Sequence, residues 1–164
     1  MDVVIRTFNE ADRAAVVRLW HECGLVYPQN DPDRDIDRKL EHGTAYFVVA
    51  TAGGDIVGSA MGGYEGHRGW VNYVAVAPAC RRMGVGRRMM EELERRFRLA
   101  GCAKINLQIR STNAAVQEFY RRLGFVQDEV VCMGRRLIDD SDLAHVSRNT
   151  PSHDRLLAEE PGAR

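Results

Sequence analysis

The densest run of chemistry in this chain is Val74-Ala75-Val76-Ala77-Pro78-Ala79-Cys80-Arg81-Arg82-Met83-Gly84-Val85-Gly86-Arg87. A β-branched stretch enters a loop with two glycines, and a long amphipathic segment follows. A helix that starts there leaves backbone N–H groups unpaired at the positive end of its dipole, which together favour an anion. Gly84 and Gly86 let a phosphate approach the backbone with no Cβ in the way. Arg81, Arg82 and Arg87 add charge-assisted donors, with Met83 and Val85 completing the loop. The chemistry implied is pyrophosphate binding. A dinucleotide fold asks for a third glycine where Met89 stands, and a P-loop asks for Gly-Lys followed by Ser or Thr; this chain has neither.

The elements that must hold this loop are readable from periodicity and caps. Val3 to Phe8 is a first strand. Asn9 is a helix N-cap, Ala15, Val16, Leu19 and Trp20 share a helical face, and Gly24 ends that helix. Asp31 followed by Pro32 starts a second helix running to His42, with Asp35 and Lys39 expected to pair at i,i+4. Ala45–Ala50 and Ile56–Met61 form a hairpin across Gly53-Gly54-Asp55. A glycine-bracketed turn holding Tyr64-Glu65 and His67-Arg68 leads to a strand from Trp70 to Ala77. A helix opens after Gly86 and buries Met89, Met90, Leu93, Phe97 and Ala100. Ile105–Ile109 is a strand, Asn113 caps a helix closed by Gly124, and Val126–Leu137 supplies one or two last strands. The layout is α/β, a mixed sheet flanked by helices around one core.

Arg81-x-x-Gly84-x-Gly86 resembles the acyl-CoA loop of the GNAT N-acetyltransferases. Asn113-Ala114-Ala115-Val116-Gln117-Glu118-Phe119-Tyr120-Arg121-Arg122-Leu123-Gly124-Phe125 resembles that family's N-x-x-A-x-x-x-Y-x-x-x-G-F signature, with Val116 where Ala is usual. The order of elements from Val3 to Leu137 also fits. The Asn30-Asp31-Pro32 loop and Gly62-Gly63-Tyr64-Glu65-Gly66-His67-Arg68-Gly69 are similar to bacterial members of the YpeA type.

The resemblance implies direct attack of a primary amine on acetyl-CoA, with no covalent enzyme intermediate. It implies that backbone amides of Val74, Ala75 and Val76 hold the pantetheine and polarise the thioester carbonyl, that Asn113 bonds the cofactor arm, and that Tyr120 gives a proton to the departing thiolate. Asn113 also reads as an N-cap, and Tyr120 shares a face with Phe119 and Leu123 as a core aromatic would. Members that acetylate ribosomal-protein N-termini carry a Glu five residues before the signature Asn. Here that residue is Gln108, which cannot accept a proton, so Glu65, and after it His67, is the expected base. The acceptor is an amine on a small molecule or a protein. Homodimers are common among the proteins this chain resembles. A non-catalytic acyl-CoA sensor is the alternative from another class.

Composition bounds the rest. The chain has 164 residues with 23 basic and 23 acidic side chains. A formal net charge of zero argues against a nucleic-acid partner. Cys23, Cys80, Cys102 and Cys132 form no C-x-x-C pair and read as small buried hydrophobes, and the five histidines are dispersed, so no metal is expected. The opening residues lack an apolar secretion core, and no run is long enough to span a membrane, so the expected location is cytoplasmic with no membrane partner. Residues 1–138 are read as the catalytic domain and 139–164 as a polar tail.

Overall fold

A computed structural model describes residues 2–141. The chain runs β1 (Val3–Thr7), a 3-10 turn (Glu10–Asp12), α1 (Arg13–Glu22), α2 (Pro32–Glu41), β2 (Phe47–Ala52), β3 (Asp55–Tyr64) and β4 (Gly69–Val76). A second 3-10 turn (Pro78–Cys80), α3 (Val85–Leu99), β5 (Ile105–Leu107) and α4 (Ala114–Arg122) follow. The strands lie side by side in chain order in one five-stranded sheet. All neighbours are antiparallel except β4 and β5, which run parallel.

Caps start the helices where the sequence places them. The Asn9 side chain accepts from Ala11 N, and the Asp12 carboxylate accepts from Asn9 N in return. Asp31 accepts from the backbone of Asp33 and Arg34, with Pro32 in the first turn. Asn113 accepts from Val116 N. These contacts satisfy donors that helix ends otherwise leave unpaired.

Both faces of the sheet are buried, which is why β2 reads as a continuous apolar run. Val48 and Ala50 point to one face, where they meet Val85, Met89, Met90, Leu93 and Phe97 of α3 and Tyr120 of α4. Phe47 and Val49 point to the other, where Val16, Leu19 and Trp20 of α1 and Ile36 of α2 close a second core. Each such side chain contributes about 2 kcal/mol of burial, so α3 alone is anchored by on the order of 10 kcal/mol before entropy is subtracted. Among the described residues no helix is long and apolar enough to cross a membrane.

Four expectations need correction. Val126–Leu137 forms no strand; Val126, Val130, Val131, Met133 and Leu137 lie exposed in irregular chain. A β-branched run makes a strand only where a neighbour offers packing, and none of the five strands takes this one. Asp35 pairs with Arg38 and not with Lys39, because its second oxygen is drawn inward to Tyr73. Cys23, Cys80 and Cys102 are half-buried and Cys132 is exposed, so none is a closed core residue. Asp140, placed in the tail, is buried against Arg38; residues 142–164 lie outside the described residues.

Candidate active site

The site begins with a defect in β4. Ser59 faces Ala75 and Met61 faces Asn72, so Ala60 alone opposes both Tyr73 and Val74. Tyr73 absorbs the extra residue with a left-handed φ of 50°. On its other side β4 pairs with β5 only from Gly69 to Val71. From Asn72 to Val76 the two strands part, leaving the β4 edge open, and the expected Val74, Ala75 and Val76 backbone lies on that edge.

The open edge leads into the glycine loop. Arg82 and Gly84 adopt positive φ of 63° and 81°, and Gly84 stands as the N-cap of α3. Alternation between right- and left-handed residues is the geometry of anion-binding backbone concavities. Among the described residues, the backbone N–H groups of residues 82–87 meet no protein acceptor. Arg82 and Arg87 form no hydrogen bond or ion pair there either. Arg81 folds back, donating from Nε to the Val76 carbonyl at 3.3 Å. Gly86 has a packing role besides the one expected: a Cβ there would stand 3.1 Å from Phe119 Cζ and 3.6 Å from Val76 Cγ2. α4 is thereby seated on the start of α3, beside the open edge.

Tyr120 lies on α4 within the core that Val74 and Val76 also join. Its ring is edge-on to Phe119 and Phe125, at 4.9 and 5.4 Å between centroids. Burial pushes its phenol up to about 12, and its hydroxyl has no protein partner among the described residues. Asn113 spends its oxygen on the cap and keeps its NH₂ group free of protein acceptors. Gln108 donates to Cys132 Sγ at 2.6 Å, tying β5 to the exposed segment.

Glu65 and His67 are not brought to this place. They sit in the turn before Gly69, at the far end of β4, about 20 Å from Val76 at the ordinary rise of a strand. Both Glu65 carboxylate oxygens accept from the backbone of that turn, at 2.8 Å from His67 N and 2.6 Å from Arg68 N. This geometry is that of a turn-capping residue.

Sequence reasoning missed a polar network on the opposite face of the bulge. Tyr73 stacks on Trp20 at 4.1 Å and donates from its hydroxyl to Asp35 Oδ2 at 2.6 Å. Burial, reinforced by Asp35, pushes that phenol up to about 12. Arg38 donates to Asp35 Oδ1 and grips both oxygens of Asp140 at 3.0 and 2.6 Å. The Arg38 guanidinium holds the Asp140 carboxyl below its ordinary range. The partners come from three separate stretches of chain, and no local spacing announces them.

A parted pair of strands thus stands beside a basic, N–H-rich loop, the arrangement that the resemblance to the acetyltransferases implies. The chain belongs to the acetyltransferase (GNAT) family, whose model matches residues 13–125. It is 44% identical over 139 residues to an acetyltransferase of Sodalis glossinidius, spanning 84% of this chain and 98% of that one. Among solved structures, Ard1 from Thermoplasma volcanium superposes with a TM-score of 0.70 at 27% identity, over 77% of this chain and 84% of its own. The aminoglycoside acetyltransferase AAC(6')-Iy, solved with a CoA-linked bisubstrate analogue, shares the fold with a TM-score of 0.69 at 20% identity, over 83% and 99%. The family and the Sodalis relative support acetyl transfer.

Proposed function

We propose that this protein is an acetyl-CoA-dependent N-acetyltransferase of the YpeA-type subgroup, acting on a primary amine without a covalent enzyme intermediate. The observation that carries this reading is the set of N–H groups at residues 82–87 that, among the described residues, meet no acceptor, flanked by the Arg82 and Arg87 guanidiniums and adjoining the open β4 edge. The loop takes the pyrophosphate; the edge from Val74 to Val76 takes the pantetheine arm and polarises the thioester carbonyl; the Asn113 amide steadies the arm.

The amine nitrogen attacks the carbonyl carbon, the C–N bond forms, and the C–S bond breaks. The Tyr120 hydroxyl, held protonated by its burial and free of protein partners, donates a hydrogen bond to the sulfur as negative charge develops there. No carboxylate stands at the bulge free to act as a base, since Asp35 is engaged by Tyr73 and Arg38. In this reading the acceptor enters as the free amine, and its surplus proton leaves to solvent.

Calorimetric titration with acetyl-CoA, with dephospho-CoA and ATP as controls, tests the reading. Micromolar, CoA-selective binding, roughly −8 kcal/mol, is expected. Equal binding of ATP, or no binding of acetyl-CoA, overturns it. Release of CoA with an amine present then separates an enzyme from a sensor, which has no turnover.

A further inference from the structure

On the Asp35 side of the bulge the chain forms an open cleft of about 600 Å³, lined by Asn30, Asp35, Arg38, Arg135, Arg136 and Asp140 among others. The Tyr73 hydroxyl reaches this cleft through its bond to Asp35. Because Tyr73 is the bulge residue and Val74 follows it, the cleft is tied through that hydrogen bond to the stretch of β4 assigned to the thioester. It is therefore placed to bring an acceptor to the acetyl group.

The charges of the cleft are not balanced. Two carboxylates, Asp35 and Asp140, face three guanidiniums, and Arg38 is committed to both carboxylates. Arg136 donates its hydrogen bonds to neutral oxygens, the Gln29 carbonyl at 3.2 Å and Asn30 Oδ1 at 3.0 Å, and its charge also helps hold the Asp139 carboxyl low. The nearby Asp139 is turned to Ser141, whose N–H and hydroxyl it accepts. Arg135 has no hydrogen bond or ion pair among the described residues. The cleft thus has an acidic, hydrogen-bonding inner wall and a rim of two guanidiniums, neither of which forms an ion pair among the described residues.

We infer that the acceptor is a small primary amine that also carries an anionic group, a carboxylate or a phosphate. Its nitrogen lies toward Asp35 and Tyr73, and its anion is held by Arg135 and Arg136. The inference rests on the acetyl-transfer reading above and narrows it. A polycation places like charge against the two rim guanidiniums, whereas an anion gains charge-assisted bonds there. Arg136, pre-set by the Asn30 loop, loses little freedom on binding.

The test uses the full chain and measures thiol release from acetyl-CoA with four acceptors that share an aminoethyl unit: β-alanine, O-phosphoethanolamine, ethanolamine and putrescine. At least one anionic acceptor is expected to exceed ethanolamine at least tenfold in kcat/KM, with putrescine lowest; the ratio of β-alanine to O-phosphoethanolamine tells carboxylate from phosphate. The double variant Arg135→Gln, Arg136→Gln is expected to raise KM for the anionic acceptors ten- to a hundredfold and collapse their preference. Both positions are exposed, and circular dichroism checks that the variant stays folded. A preference for ethanolamine or putrescine, a double variant that keeps the preference, or bound acetyl-CoA with no turnover of any of the four overturns the inference. Failure to bind acetyl-CoA strikes the acetyl-transfer reading instead.

Discussion

Tyr120→Phe removes one oxygen, and the structure sets the size of each consequence. The hydroxyl has no protein partner among the described residues and the ring is packed on two aromatics, so folding stability is expected to change by less than about 0.5 kcal/mol. Affinity for acetyl-CoA, which the proposed function assigns to the glycine loop and the β4 edge, is expected to stay within about twofold. The rate is different. A thiol in water has a pKa near 8.5, while burial holds the Tyr120 phenol at about 12, so complete transfer of its proton to a thiolate is uphill by about 5 kcal/mol. The phenol therefore acts as a hydrogen-bond donor to the developing charge, worth about 2 kcal/mol, or roughly thirtyfold in kcat. Single-turnover thiol release under saturating acetyl-CoA measures this directly. Unchanged kcat would show that the hydroxyl faces no sulfur. A loss beyond roughly 10⁴-fold would show complete proton transfer and refute the reasoning from the raised pKa.

The two loop glycines separate by perturbation. Gly84→Ala strains a left-handed position with open space around the new methyl, so it is expected to cost about 1 kcal/mol in chemical denaturation and to weaken acetyl-CoA binding several-fold by calorimetry. Gly86→Ala presses on Phe119, next to Tyr120; its helix-propensity gain offsets the crowding, so stability holds within about 1 kcal/mol while kcat falls. Glu65→Gln is expected to leave kcat/KM within about twofold across the pH range, with kcat/KM rising toward the amine pKa near 10 in both forms; an ascending limb lost in the variant would restore Glu65 as the base. Asp12→Ala breaks a paired contact to Arg6 at 2.6 and 2.7 Å and a cap to Asn9, and about 2 kcal/mol of stability is expected to go with it in urea titration. Asp12 is held low by Arg6, Asp140 by Arg38, and Glu92, at about 2, by Arg95 and Arg96. Depressed folded-state values mean stability that is full above the ordinary carboxylate range, so thermal midpoints should fall as pH drops from about 4.5 toward 2 and should not respond between 6 and 8.

Elements fixed by local physics were legible in the chain. Asn9, Asp31 and Asn113 each accept a backbone N–H at a helix start, and Gly24, Gly101 and Gly124 take the left-handed conformation that ends one. The hairpin across Gly53 and Gly54 follows from the same preference, since both adopt positive φ. What depends on a partner elsewhere in the chain was not legible. The run from Val126 to Leu137 has strand composition and no strand to join. The Asp35–Lys39 spacing is ideal for a helical pair, yet Tyr73, thirty-eight residues away, competes for the same carboxylate and wins by burying its hydroxyl against it.

The site divides along the same line. The glycine loop was legible as a structural feature because its backbone N–H groups, helix start and arginines all come from one continuous stretch of sequence. Glu65 was chosen as base for lying in a glycine-rich turn ahead of β4, and position along a strand is distance. Eight residues of β4 carry that turn to the opposite end of the sheet, where its carboxylate caps backbone and nothing else. What does stand at the bulge is Tyr73, and a single inserted residue decides this. Without the extra residue opposite Ala60, Tyr73 and Val74 would exchange faces, and the hydroxyl now bonded to Asp35 would point toward α3. The bulge therefore decides which face Tyr73 joins, and with it the hydrogen bond that the phenol gives to Asp35.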